Sequence, residues 1–213
     1  MTESIRPFFT IWVEPRATIR RIVESDPRRN VIALAMIGGG LGMLASSWFT
    51  ALANPASTTA LWPVGVALKV VLGAVWGIVG LYSGAWLIGL ACRVLGGVAS
   101  SLELRAALAW GNLPEITATA LTIAVVLLGL VSPPEIRHGG LRWTTGAKID
   151  LTLLNGSLGI WGIVLQMKCL GEVNRFSAWR ALGAVVLTIA VLVVAVLLFV
   201  YFEGGFAHHV KAA

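Results

Sequence analysis

The chain has 213 residues, of which 57% are hydrophobic and only 12% are charged, and its mean hydropathy is +0.86. Soluble domains carry roughly 25% charged residues, so this composition excludes a water-soluble globule and leaves lipid as the solvent for most of the surface. The net charge of +6 would suggest a nucleic-acid partner in a soluble protein, but here the positive residues cluster at the ends of apolar stretches, so we expect no such partner.

The first 30 residues form a basic segment that precedes any long apolar stretch. Pro15 suits the first turn of a short helix, whose apolar and charged residues would fall on different sides. The apolar side carries Ile19, Ile22 and Val23, and the charged side carries Arg16, Arg20 and Glu24. This pattern predicts an interfacial amphipathic helix on an anionic cytosolic membrane surface, and the alternative is a basic segment that only sets topology. Asp26 and Pro27 would then cap the first span.

Five stretches are long and apolar enough to cross a bilayer as a helix, which takes roughly 20 residues. None has the strict polar and apolar alternation of a barrel strand, so helices remain the way to satisfy the backbone in hydrocarbon. The predicted fold is therefore an all-α transmembrane bundle. Its five spans are predicted at Val31 to Ala53, Val64 to Ala91, Leu113 to Val131, Ile149 to Met167 and Ala178 to Phe202.

The second span carries glycines at four-residue spacing, Gly73 with Gly77 and Gly80 with Gly84. Small residues at this spacing let two helices approach closely in lipid, where the hydrophobic effect does not drive association. We expect these glycines to pack helices within one bundle. The alternative is homodimerisation through the same faces, so the sequence also allows a homo-oligomer.

A break at residues 96–97, both glycine, separates the second span from the next helical signal. Ser100 and Glu103 have the spacing of a capping box, in which each side chain satisfies a backbone N–H of the other. The spacing predicts a short helix over residues 101–111 that lies at the inner membrane surface or dips into the membrane.

Asn112, Glu115 and Asn155 form the candidate intramembrane polar site. Ionisable groups in a membrane are costly, so each is a functional hypothesis by default. Glu115 also has capping-box spacing from Asn112, and a capping role is the preferred interpretation. Asn155 would be satisfied by one hydrogen bond between helices.

The sequence has no signature of a catalytic, cofactor-binding or metal site. Phosphate-binding GxxxxGK[ST], zinc-binding HExxH and the GxSxG elbow are all missing. Cys92 and Cys169 lie at the predicted inner ends of spans and have no histidine nearby, so we expect free thiols and no zinc site. We therefore predict a non-enzymatic protein without a cofactor.

Charge asymmetry predicts the orientation. With the N-terminus inside, eleven of the 16 lysines and arginines lie inside, four lie outside, and Lys69 lies within the second span. Positive residues favour the cytosolic side, so we expect the N-terminus inside and the C-terminus outside. Residues 203–213 would be a short outer tail. The first span is too long for a signal peptide, and we interpret it as retained.

Several short motifs carry a family resemblance. They are Glu14-Pro15-Arg16-Ala17-Thr18-Ile19 and Asp26-Pro27, then Gly96-Gly97 with Leu104-Arg105-Ala106-Ala107-Leu108-Ala109-Trp110 and Leu113-Pro114, then Ile160-Trp161 with Phe176-Ser177-Ala178-Trp179-Arg180-Ala181. Over about residues 8–202 the chain resembles bacterial members of the Ypt-interacting protein (YIP) family. The resemblance implies five spans, a cytosolic N-terminus and, for a bacterial member, the cytoplasmic (inner) membrane. Eukaryotic relatives associate with Rab-type GTPases, but the acidic-Leu-Tyr-Gly part of their signature is missing here, so the resemblance implies architecture rather than that activity.

The leading functional hypothesis is a non-enzymatic membrane adaptor or organiser that acts through its basic inner face. This face would bind anionic membrane lipid or a protein partner. The residues assigned to it are Arg16, Arg20, Arg21, Arg28, Arg29 and Arg105. The alternative is a transporter or channel for a small solute, an ion or a lipid, with its site near Asn112 and Glu115.

Overall fold

A computed structural model describes residues 7–53, 62–128, 135–137, 140–142 and 145–211. Eight helices and one short antiparallel hairpin make up these residues. The helices are α1 (Pro7–Val13), α2 (Pro15–Ser25), α3 (Val31–Ala53), α4 (Trp62–Val94), α5 (Ser101–Gly111), α6 (Leu113–Leu127), α7 (Thr145–Val173) and α8 (Ala178–Lys211), and the strands are β1 (Glu135–Arg137) and β2 (Gly140–Arg142).

Five helical segments within the described ranges are long and apolar enough to cross a membrane. They are α3, α4, α5 together with α6, the later part of α7, and α8 as far as Tyr201. This confirms the predicted all-α fold with five candidate spans. Helix α8 continues to Lys211, so the segment expected as an outer tail is largely helical. Residues 129–131, the end of the predicted third span, lie outside the described residues.

Helix α5 forms over the predicted residues 101–111 and lies among the other helices of the bundle. Ala106, Ala107 and Trp110 are fully buried, and α5 packs against α2, α3, α4 and α7. The alanines allow this because small side chains let several helices approach one another. Helix α6 has 15 residues, about 22 Å of helix, so it is too short to cross a core of roughly 30 Å without α5.

The predicted capping box at the start of α5 is present, whereas the expected cap at Asp26 is not. The Ser100 side chain accepts from the Glu103 N–H at 3.3 Å, and the Glu103 carboxylate accepts from the Ser100 N–H at 2.6 Å, so the capping box is confirmed. Ser177 accepts from the Arg180 N–H at 3.3 Å at the start of α8. Asp26 does not cap α3. It follows α2 and accepts from the Arg28 N–H at 2.9 Å within the turn before α3.

Helices α3 and α4 cross closely at glycine. A Cβ built on Gly77 would overlap the Ala35 carbonyl oxygen and lie 3.2 Å from the Cα of Gly39, and one on Gly73 would lie 2.6 Å from the Gly39 carbonyl oxygen. Gly73 and Gly77 therefore permit this crossing. Gly80 and Gly84 do not, because a Cβ on either would meet no atom within 4 Å. Homodimerisation stays a prediction.

Candidate functional site

One end of the bundle carries the six arginines predicted to form the inner face. It consists of α1 and α2, the turn before α3, the first turns of α5 and the connection from α7 to α8, and we call it the basic end. The side chain of Arg105 is half-buried, and the other five are exposed, namely Arg16, Arg20, Arg21, Arg28 and Arg29.

Helix α2 places its apolar side against the protein. Thr18 and Ile19 are fully buried and Ile22 is almost so, and α2 packs on α5 and α7. An interfacial helix would insert this side into lipid. In this protein the bundle itself, rather than lipid, covers the apolar side of α2. The charged side is left facing outward.

Helix α1 and Trp110 complete this packing. The rings of Phe8 and Trp110 lie 4.8 Å apart, and Ile11 is fully buried. The Trp110 indole N–H donates to the carbonyl of Arg29 at 3.2 Å, so a buried polar atom of α5 is satisfied by the turn before α3. The N-terminal helix pair, α1 and α2, is thus an integral part of the bundle end.

Arg20 is held by a carboxylate of α7. Its Nε–H donates to Glu172 Oε1 at 2.7 Å, and a guanidinium Nη forms an ion pair with the same oxygen. The Arg20 side chain is 61% exposed, whereas that of Glu172 is 14% exposed. Glu172 was not predicted, since nothing local in the sequence pairs residues 152 positions apart. Arg20 is consequently engaged within the protein.

A groove of about 680 Å³ runs beside this ion pair. It is lined by α2, the start of α5 and the α7–α8 connection, and its charges have both signs. The cationic lining residues are Arg16, Arg20 and Arg175, and the acidic ones are Glu24, Glu103 and Glu172. A surface of mixed sign suits a protein segment that carries complementary charges.

A second, smaller cleft of about 240 Å³ opens on another side of the basic end. Arg28 and Arg105 line it together with Tyr82, and no acidic residue lines it. Both arginines were predicted to lie on one face, whereas the position of Tyr82 beside them was not predicted.

The three residues of the predicted polar site also come together. Asn112, Glu115 and Asn155 line one groove of about 520 Å³ between α6 and α7, beside the turn that joins α5 to α6. The Asn155 amide donates to Thr122 Oγ1 on α6 at 3.0 Å, which confirms the hydrogen bond between helices expected of Asn155. Gln166 lines the same groove and was missed, because a single glutamine in an apolar stretch gives little signal.

Glu115 does not cap α6, and the preferred interpretation of this residue was wrong. Asn112 has helical backbone angles (φ −83°, ψ 0°), and its N–H already donates to carbonyls of α5, so Glu115 has no free N–H to accept from. The Glu115 carboxylate makes no hydrogen bond or ion pair with the part of the chain that the structure describes.

No group of three or more His, Cys, Asp or Glu side chains within the described ranges could hold a metal ion. Cys92 and Cys169 are both buried and free, as expected from their position at helix ends.

Comparison with known proteins gives one finding. The family model described as the Yip1 domain matches residues 9–200, which is most of the chain. No curated protein and no solved structure matches it.

Proposed function

We propose that this chain, which belongs to the Yip1 domain family, is a non-enzymatic adaptor that organises the membrane around its basic end. The family and the five apolar helices make it an integral membrane protein. The adaptor role extends this architecture to a function. One observation carries the proposal, namely that the N-terminal helix pair packs its apolar side against the bundle.

The packing of α2 against the bundle determines where its charged side chains lie. Because Ile19 and Ile22 are buried against the bundle, the opposite side of the helix must face outward. Arg16 and Arg21 are exposed on that helix, and Arg29 is exposed just beyond it. A free amphipathic helix would have to fold and insert before presenting its charges. Here the bundle holds them in place, which lowers the entropy lost on binding.

We place the basic end on the cytosolic side of a bacterial cytoplasmic membrane. The charge count of the sequence supports this orientation, because eleven lysines and arginines then lie inside against four outside. The cytosolic leaflet is anionic, and each arginine near its surface contributes about 1 kcal/mol of attraction. Three exposed arginines would therefore enrich anionic lipid around the protein.

The groove of mixed charge supports the adaptor part of the proposal. It lies beside the exposed arginines and combines Arg175 with Glu24 and Glu103. Anionic lipid headgroups would be repelled by its carboxylates, so a protein segment with charges of both signs is the better occupant.

Lipids that purify with the full chain test the proposal. The protein is extracted in a mild detergent, and the bound phospholipids are measured by mass spectrometry against the bulk membrane. We expect anionic lipids to be enriched. Replacing Arg16, Arg21 and Arg29 together with glutamine should return the composition close to that of the bulk membrane.

The matched control replaces the same three arginines with lysine. Lysine keeps the charge at each position, so the enrichment should persist if the attraction is electrostatic. Enrichment that survives the triple glutamine variant would contradict the lipid part of the proposal. A protein that purifies with the parent chain in fixed proportion, and is lost from the glutamine variant, would support the adaptor part.

The polar groove supports a second candidate function, that of a transporter or channel for a small solute, an ion or a lipid. Glu115 is a carboxylate without a partner among the described residues, and it lies with Asn112 and Asn155 in one groove. Asn112 and Gln166 also line an adjoining cavity of about 320 Å³ between α3, α4 and α5. Polar side chains shared by two cavities are an arrangement that suits passage.

Glu115 separates the two candidates. Glu115→Gln removes the charge but keeps the size of the side chain, and no described contact is lost. Proton or ion flux into vesicles that contain the purified protein would fall sharply if Glu115 serves conduction. Vesicles that show no flux above empty ones, with either variant, would exclude ion conduction through this groove.

A further inference from the structure

The cleft beside Tyr82 differs from the groove of mixed charge in being purely cationic. Arg28 enters it from the turn before α3, and Arg105 enters it from α5. The acidic residue of the same turn, Asp26, accepts from the Arg28 backbone N–H and forms no ion pair with either guanidinium. Two guanidinium groups therefore line one small cleft without a neutralising carboxylate among its lining residues.

Arg105 is oriented before any ligand arrives. Its guanidinium carbon lies 4.4 Å from the centre of the Tyr82 ring, and its Nε–H donates to the Ser101 carbonyl at 3.0 Å. These contacts fix the plane of the guanidinium but use only one of its five N–H donors. The donors on the two Nη atoms have no hydrogen-bond acceptor in the described part of the chain. A planar fork of this kind matches the oxygen atoms of a phosphate group.

The position of the cleft along α4 relates it to the membrane. Trp62 starts α4, and its ring lies 6.1 Å from that of Trp48. Tryptophan is enriched at membrane interfaces, so we place this end of α4 at one interface. Tyr82 lies about 30 Å further along the helix at 1.5 Å per residue. The hydrocarbon core is also about 30 Å thick, so a cleft beside Tyr82 lies at the opposite interface, where phospholipid phosphates are found.

We propose that this cleft binds the phosphate group of an anionic phospholipid between Arg28 and Arg105. The inference rests on the proposed function, since it names a lipid site within the basic end. The remaining walls are apolar and come from Val31, Ile32 and Leu102. Ile32 is 49% exposed, so it offers a surface for the first part of an acyl chain.

The apolar walls favour a lipid over free phosphate. A soluble anion would gain the two guanidinium contacts but would leave the side chains of Ile32 and Leu102 uncovered. A phospholipid covers them with its glycerol and upper acyl carbons while its phosphate meets the arginines. An anionic lipid is favoured over a zwitterionic one, because the two arginines repel a choline or an amine and no carboxylate lines the cleft to receive it.

The test titrates phosphatidylglycerol into the detergent-solubilised full chain and measures the thermal unfolding midpoint. Phosphatidylcholine is titrated in parallel as the zwitterionic comparison. We expect saturable stabilisation by phosphatidylglycerol. Arg28→Gln and Arg105→Gln should each raise the concentration for half-maximal stabilisation by about tenfold, the effect of losing one charge-assisted contact. Arg93→Gln, at an exposed position in the last turn of α4 outside the cleft, is the control and should change it less than twofold.

Each outcome separates the site from the broader proposal. If only the triple glutamine variant of Arg16, Arg21 and Arg29 loses lipid, the basic end attracts lipid diffusely and the cleft proposal fails. If neither set of variants changes lipid binding, both proposals fail. Arg28 makes no side-chain contact by hydrogen bond or ion pair with other described residues, so Arg28→Gln keeps the fold and gives a result even if Arg105→Gln does not fold. Equal stabilisation by inorganic phosphate alone would overturn the assignment to lipid.

Discussion

Replacement of Gly77 by alanine tests the close crossing of α3 and α4. The new Cβ would overlap the carbonyl oxygen of Ala35 and press on the Cα of Gly39, and both of these are backbone atoms that cannot move aside by rotation. The helices would have to separate by about 1 Å, and gaps of this size forfeit a quarter to a half of each dispersion contact. Overpacking of this kind costs about 1–3 kcal/mol. Alanine offsets this by about 1 kcal/mol in helix propensity, so we expect a net loss of up to about 2 kcal/mol.

Gly80→Ala provides the control with the opposite sign. Gly80 lies one turn away on the same helix, and a Cβ there meets no atom within 4 Å. Its replacement should therefore be neutral or stabilising by up to about 1 kcal/mol. Both variants are compared with the parent chain by reversible unfolding in mixed micelles of mild detergent and sodium dodecyl sulfate, followed by circular dichroism. Equal stability of Gly77→Ala and Gly80→Ala would refute the argument that α3 and α4 touch at Gly77.

Three further predictions concern the basic end. Arg20→Gln leaves the mostly buried Glu172 without its cation, so the backbone amides of α2 should exchange hydrogen faster. Adding Glu172→Gln to this variant should restore part of the protection. If the effects of the two substitutions simply add, the ion pair does not stabilise α2. Trp110→Phe keeps an aromatic ring but loses the bond to the Arg29 carbonyl and part of the buried indole volume, so the stability measured by unfolding should fall by at least about 1 kcal/mol. Ser100→Ala removes the helix cap and should cost about 1 kcal/mol in the same assay, with an unchanged unfolding midpoint as the contradicting result.

Hydropathy was sufficient to predict the five spans because an apolar run of this length has few alternatives in a protein. The capping box at Ser100 and Glu103 was predictable for a similar reason, since both partners lie within one turn of helix. Local patterns failed where the same residue types have another use. Asn112 and Glu115 have the spacing of a cap. The backbone of Asn112 continues the preceding helix, so its N–H already donates to α5 and is not free for the Glu115 carboxylate.

The burial of α5 and the pairing of Arg20 with Glu172 could not be predicted from local pattern. An alanine-rich helix is compatible with a surface or an interior, and only its four neighbours decide between them. In the same way, the apolar side of α2 predicts that something covers it but does not distinguish lipid from protein. The candidate residues could thus be named from the sequence. Their grouping into the groove of mixed charge, the cleft beside Tyr82 and the polar groove required the fold.

The ion pair between Arg20 and Glu172 also constrains the order in which the chain can mature. Residues 20 and 172 are separated by 152 positions, so the contacts between α2 and α7 cannot form until most of the protein has been synthesised. During synthesis the N-terminal helix pair can pack on α5 but still lacks its contacts with α7. A nascent chain stalled after α6 should accordingly be cleaved by trypsin within α2, and one stalled after α8 should resist. Insertion of α7 and α8 would then complete the packing of α2.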